Sequence, residues 1–308
     1  MTLSIKVQRE DKLSKSSKLL WDTIVRVTQT VGSEEAEGIR VPLYMFLASE
    51  RIPPLRDKLR SWRRVWDLLI TPIGRQVSKK PPRHCPLFVF IYNTPSNMNN
   101  ILPVFEAAQR RAWTPSVLLG AGFLASPKHF EGVTSITKYS EMVAFTTAKE
   151  RLEALSRAWS TYDTLLSEFE RASQHLAQGV QHHRLQLIIE LMLFSIISAG
   201  LRRFYSALGP SCVISTSDFW PFESAVFLEA RRLGIPSFVI QHGTTTPLWW
   251  PFVADKLLLW GEPFRDEIIG LGAPPDRLMV CGMPATDSIF SKYMRKSDLS
   301  QRMPKSCM

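Results

Sequence analysis

The stretch "PSFVIQHGTTTP", Pro236 to Pro247, sets an imidazole and a run of hydroxyls at the mouth of a buried apolar segment. An imidazole titrates near neutral pH. His242 can therefore take a proton from a hydroxyl nucleophile, provided that a carboxylate or carbonyl orients its other ring nitrogen. Asp218 and Glu223 are the candidate orienters and complete a candidate catalytic set with His242. Plainer readings stand beside these. His242 also reads as a rim histidine satisfied by a carbonyl, and Asp218 as a capping residue, since Ser217-Asp218 precedes a helix starting at Pro221. Gly243 lets the backbone turn sharply or approach a ligand closely.

These residues need a scaffold that brings them to one edge, and the sequence supplies one. From Pro86 the chain alternates short, continuously apolar runs with helical stretches. "PLFVFIY" (86–92) reads as a strand covered on both faces, followed by a helix from Met98 to Arg111, a strand at 116–119 and another at Met142–Phe145. A long helical insertion occupies about 148–208. Strands follow at 211–215, 237–240, 256–260 and 278–281, with helices at 221–233 and 263–271. Strands alternating with helices indicate a doubly wound α/β domain with a parallel sheet. Ligands in such domains bind beyond the carboxyl ends of the strands. The polar clusters that fall there are Asn93-Thr94-Pro95-Ser96-Asn97, Thr216-Ser217-Asp218 and Gln241-His242-Gly243-Thr244.

The order "GIPSFVIQHGTTTP", then "ADKLLLWGEPFRDEIIGLGAPPDRLMVCGMPATD", resembles the GT-B type glycosyltransferases of bacterial surface and capsule polysaccharide synthesis. It is similar to the CDP-glycerol glycerophosphotransferases and the capsule polysaccharide transferases, and more distantly to the non-hydrolysing UDP-N-acetylglucosamine 2-epimerases. In these families a strand ending in His-Gly is followed by a strand with a short Gly-polar step, here Trp260-Gly261-Glu262, and later by G-x-P-x-x-D, here Gly282 to Asp287. The resemblance implies a Rossmann-like GT-B N-terminal domain over 85–290. It implies His242 as the base that deprotonates an acceptor hydroxyl. The candidate substrate-binding set, taken from the strand ends and the Gly-polar step, is Asn93, Thr94, Ser96, Asn97, Ser217, Gln241, Gly243, Thr244 and Glu262. The three threonines before Pro247 depart from the glycerophosphotransferase pattern, in which Thr-Pro follows His-Gly directly. In the family a donor-binding domain follows G-x-P-x-x-D, whereas here a tail (291–308) follows. The expectation is an acceptor-type domain whose nucleotide-sugar donor is held only if a second domain or subunit supplies the site. A sugar-nucleotide epimerase relative and a non-catalytic binding or scaffold module are the alternatives. No cofactor and no metal are implied.

Composition bounds the setting. The chain has 308 residues, 45% hydrophobic and 21% charged, with a formal charge of +10, an ordinary globular profile that favours anionic surfaces or ligands. No nucleic-acid-binding motif accompanies the charge. Cys85, Cys212, Cys281 and Cys307 form no CxxC pair, and the first residues lack the apolar core of a signal peptide, which points to a reducing cytoplasm. The most apolar run, Leu185 to Leu201, carries Gln186 and Glu190 and is short for a bilayer span, so it reads as a buried or interfacial helix.

The first 84 residues read as a helical, basic region. From Leu55 to Ile70 the residues Leu55, Leu59, Trp62, Val65, Trp66 and Leu69 share one helical face, with Arg56, Arg60, Arg63 and Arg64 largely on the others. Such a helix either packs on the domain with a solvated basic face or lies in the headgroup layer of an anionic membrane. The second reading suits an enzyme at the inner membrane face acting on a lipid-linked acceptor. On that reading the chain co-sediments with anionic vesicles and much less with neutral ones, and changing Arg60, Arg63 and Arg64 to Glu abolishes pelleting. Equal pelleting of both proteins, or of neither, eliminates the anchor.

Overall fold

The computed structural model describes residues 2–49, 85–92, 94–122, 130, 133 and 135–286. Three helices lead: α1 (Thr2–Val31), α2 (Glu34–Gly38) and α3 (Arg40–Ser49). The alternating region follows as β1 (Pro86–Tyr92), α4 (Pro95–Arg110), β2 (Ser116–Gly122), β3 (Ser135–Lys138) and α5 (Tyr139–Ala144). The insertion is three helices, α6 (Ala148–Ala172), α7 (Gln174–His182) and α8 (Arg184–Leu208). Then come β4 (Cys212–Ser215), α9 (Pro221–Arg232), β5 (Ser237–Ile240), β6 (Lys256–Leu259), α10 (Glu262–Gly270) and β7 (Leu278–Val280). The proposed amphipathic helix at 55–70 lies outside the described residues.

Among the described residues seven strands form one parallel sheet, in the order β3-β2-β1-β4-β5-β6-β7. This is the doubly wound α/β architecture expected from the alternation, a Rossmann-like sheet. The strand order reverses between β1 and β4, which pair from Pro86↔Cys212 to Val89↔Ser215. Loops leaving their carboxyl ends diverge to opposite faces and open a crevice there.

The reason for the unbroken apolar run of β1 is visible in its two neighbours. Leu87, Val89 and Ile91 enter the larger core, with α8, α9 and the N-terminal helices. Phe88 and Phe90 point the other way, onto Phe105 of α4 at ring distances of 5.2 and 5.9 Å. Burying each such ring contributes on the order of 1.5–3 kcal/mol. Ile24, Val27, Ile39 and Leu43 of the leading helices belong to the same core as the sheet.

The apolar run at 185–201 lies in α8, from its first turn onward. It is long and apolar enough to cross a membrane, yet 83% of its most apolar window is buried inside the protein. Its charged and polar contacts fit that place: Tyr205 donates to the Val226 carbonyl at 3.0 Å, and the Arg202 guanidinium forks onto the fully buried Glu229 of α9 at 3.0 and 3.2 Å. Gly209, at φ 55°, ends the helix in the left-handed conformation that glycine adopts without steric penalty.

One expected strand is corrected. Met142–Phe145 is not a strand; Met142, Val143 and Ala144 lie in α5, and the strand precedes them as β3. A four-residue apolar run fits a buried strand and a buried helical turn equally well. The real strand was hidden because it is an edge with one inward side chain, Thr137. Helix α5 lies against α8 at Gly200, where an added Cβ would stand 2.1 Å from the Met142 carbonyl oxygen. Gly200→Ala must push α5 off and should cost about 1–3 kcal/mol or more. Gly270→Ala, where nothing lies within 4 Å of the new methyl, should be neutral or slightly stabilising. Melting curves check this, and equal midpoints for the two variants would rule out the close helix contact.

Candidate functional site

Three loops meet at the carboxyl edge of β1, β4 and β5. After β1, Thr94 caps α4, accepting from the Asn97 backbone N–H at 3.4 Å and from its side-chain amide at 2.7 Å. Pro95 suits the first turn because its missing N–H would have no helical partner there. Ser96 then donates its hydroxyl to the His242 carbonyl, and the Asn100 amide donates to the Ser96 carbonyl at 2.8 Å. After β4, Thr216 donates to Asn97 Oδ1 at 2.5 Å. The structure thus joins Thr94, Ser96, Asn97, Thr216 and His242 in one hydrogen-bonded edge across the strand-order reversal. Asn93 lies outside the described residues.

The other expected residues divide by environment. Ser217 is buried, with its N–H directed at Ser215 Oγ at 3.4 Å. Gln241 is wholly buried and braces β5 to β6. Its N–H donates to Leu258 O, its Oε1 accepts from Trp260 N, and its Nε2 donates to Gly243 O, each at 2.9 Å. Gly243 shows no left-handed φ, and a Cβ there would meet nothing within 4 Å. The turn itself does not require glycine. Thr244 is exposed, with its carbonyl taking the Trp249 indole N–H at 3.2 Å. Glu262, exposed in the first turn of α10 beyond β6, pairs with Arg265 at 3.3 Å.

His242 is partly buried, its ring 5.4 Å from that of the buried Trp249, and its Nδ1 is buried without a hydrogen-bond partner. Burial holds its pKa below the ordinary imidazole value, with the Thr216 backbone acting in the opposite sense. Burial thus favours the neutral ring, the state a general base requires. No hydrogen bond joins it to Asp218 or Glu223.

Asp218 does not cap α9 either. The N-cap position belongs to Trp220, which makes no side-chain cap bond. The Asp218 carboxylate instead turns away to Val253 and Ala254, accepting both backbone N–H groups on Oδ2, the second at 3.2 Å. Asp218 and Glu223 are each 2% exposed, and Asp218 Oδ1 and Glu223 Oε2 have no partner. Burial raises Asp218 to about 6 against the two backbone N–H groups and Arg277. Burial, and to a smaller degree Asp218, raises Glu223 to about 8. At neutral pH Glu223 is mainly the neutral acid and Asp218 mainly the carboxylate. Among the described residues no group of three or more His, Cys, Asp or Glu could hold a metal.

Trp249, Asn100 and Arg277 belong to this region and were not visible as site residues in the sequence. The available signal was the length of 241–255, a crossover between parallel strands with no helical periodicity but with Trp249, Trp250 and Phe252 in succession.

No family model matches the chain, and no curated protein matches it in sequence. Solved structures similar to it include the UDP-GlcNAc 2-epimerase of Neisseria meningitidis bound to UDP-GlcNAc, at 14% identity and TM-score 0.39 over 71% of this chain and 52% of that one. The UDP-N-acetylglucosamine 2-epimerase of Rickettsia bellii is similar at 12% identity and TM-score 0.37, over 71% and 51%. The chain spans about half the length of each.

The two buried acids give a signed pH dependence. Both folded pKa values lie above the ordinary values of 3.8 and 4.5. Their contribution to stability is therefore full below those values and is lost as pH rises through about 6 and about 8. His242, with its lowered pKa, opposes this weakly at the acid end. Wild type should lose on the order of a few kcal/mol between pH 5 and 8.5. Glu223→Gln should flatten most of that loss and melt higher than wild type at pH 8.5. Parallel melting profiles for the two proteins would show that Glu223 is not buried as the neutral acid.

Proposed function

We propose that the chain provides the acceptor side of a GT-B-type transferase of surface-glycan synthesis, in which His242 is the general base toward an acceptor hydroxyl. The observation that carries this reading is the partly buried imidazole at the carboxyl end of β5, joined through Ser96 to the loop at the strand-order reversal. The order of the Gln241-His242-Gly243, Trp260-Gly261-Glu262 and Gly282-to-Asp287 segments, similar to that of the family, supports it. With Nδ1 buried, Nε2 is the nitrogen that meets the acceptor. It takes the hydroxyl proton as the acceptor oxygen bonds to the sugar carbon or glycerol phosphorus. The bond to the nucleotide phosphate breaks, and the nucleotide leaves with the electron pair. In this reading a second domain or subunit holds the nucleotide donor, and the acceptor is a glycan or lipid-linked glycan presented at an anionic membrane face.

The buried acids favour a second reading, a sugar-nucleotide epimerase relative. A neutral carboxylic acid beside a carboxylate, as in Glu223 and Asp218, suits proton transfer at a sugar carbon.

One assay separates the readings. The chain, alone and with a donor-binding partner, is incubated with UDP-, CDP- and CMP-activated donors, with and without glycan acceptors. Acceptor-dependent nucleotide release that falls at least ~100-fold in His242→Ala, at an unchanged melting temperature, is the expected result. Unchanged release in the variant removes His242 from the mechanism. Interconversion of UDP-sugars without acceptor decides for the epimerase.

A further inference from the structure

The connection from β5 to β6 crosses the sheet without an α-helix. Its only regular element is a single 3-10 turn at Pro247–Trp249. A helix would satisfy its own N–H and C=O groups; this segment cannot, and buried backbone groups left unpaired are costly. Side chains from elsewhere take them up. Arg277 donates to the carbonyls of Phe252 (3.1 Å), Ala254 and Asp255 (3.3 Å), with its guanidinium 4.3 Å from the centre of the Phe252 ring. Trp21 of α1 donates to the Trp250 carbonyl at 2.7 Å. The consecutive N–H groups of Val253 and Ala254 both go to one oxygen of Asp218.

Asp218 is itself held in place, since its carbonyl accepts from Ser224 Oγ at 2.8 Å. Its neighbour Phe219 meets Trp249 edge-on at 5.4 Å. Trp249, 3% exposed, in turn lies 5.4 Å from His242 with the two rings inclined at 37°. The dipeptide Asp218-Phe219 therefore grips the crossover at two places, and between them it carries the indole that shields the imidazole.

We propose that Asp218 is a positioning residue that fixes the β5–β6 crossover and thereby seats Trp249 against His242. It touches neither the imidazole nor, in the reading above, the substrate. It sets how dry the base is, through a loop. The mechanistic consequence rests on His242 acting as the base, but the seating of Trp249 does not. Other charged groups act on the clamp. Arg277 favours the Asp218 carboxylate, Glu223 lies close enough to couple with it, and Asp255, Asp276 and Arg231 act on Arg277.

The test is an NMR titration of the His242 ring protons in the full chain, wild type against Asp218→Ala and Trp249→Leu, with melting temperatures measured alongside. Asp218→Ala leaves two N–H groups unpaired and frees the loop. The His242 midpoint should rise by at least ~0.5 unit toward the ordinary value of 6.5 as water reaches the ring. Trp249→Leu, which keeps the clamp, should produce a similar rise. Asp218→Asn, which keeps an acceptor oxygen, should restore most of the wild-type midpoint. A folded Asp218→Ala with an unmoved midpoint overturns the proposal. Should that variant not fold, an unmoved midpoint in Trp249→Leu overturns it equally. A merely structural role for Asp218 would lower the melting temperature without touching the titration. Where transferase turnover is measurable, the acid limb of its pH profile should move with the midpoint. If the midpoint moves and the limb does not, the seating stands and the base assignment of His242 fails.

Discussion

The parallel pairing of β1 with β4 is the constraint on which the rest of the molecule hangs. The two strands are far apart in the chain; Ser215 Oγ reaches the Val89 carbonyl at 3.1 Å across 126 positions. What lies between them, including α4, β2, β3, α5 and the insertion helices, has to leave β1 and return so that β4 enters beside it in register. Once it does, the loops after β1 and β4 diverge, and the crevice follows from topology before any side chain is considered. The Thr216-to-Asn97 and Ser96-to-His242 hydrogen bonds then lace its rim. They convert a geometric gap into a polar edge of fixed shape.

The polar interior is arranged unevenly around this crevice. Away from it, buried charge is paired, as Glu229 is with Arg202 and Arg232. Beside it, Asp218, Glu223 and His242 each keep a buried atom without a partner, and Asn100 does so one turn below Ser96. Folding alone gains nothing from such atoms, each of which costs the desolvation of a group that water once satisfied. Similar atoms occur in the insertion helices, at Tyr162, Gln186 and Ser198, but beside the crevice most belong to ionisable groups, whose perturbed titration is a common mark of functional sites.

What could be read in the sequence was what depends on neighbours along the chain. "PLFVFIY" announces a strand covered twice, because every one of its residues must be apolar to satisfy two faces. The place of His242 at a strand mouth followed from the run before it. Misreadings arose where distant partners overrule local preference. Ser217-Asp218 before Pro221 obeys every local rule for a helix cap, yet the carboxylate is drawn to N–H groups 35 and 36 positions onward. The local run also could not show that the Gln241 amide reaches Trp260, just after the next strand, and Gly243 O. Met142 and Val143 are buried as expected, but Met142 lies against Gly200 of the last insertion helix, and no spacing within the run could reveal that.

The Trp21 indole on the Trp250 carbonyl spans 229 positions, from the leading helix to the wall beside His242. Mechanically it is a tether. The helix that comes first in the chain carries no residue of the crevice, yet it holds the one segment there that has no helix of its own. A displacement of α1 against the domain therefore acts on the crossover as well as on the core. The crossover seated beside His242 is thus tied to a helix whose own buried face, Ile24 and Val27, is part of the core beneath the sheet.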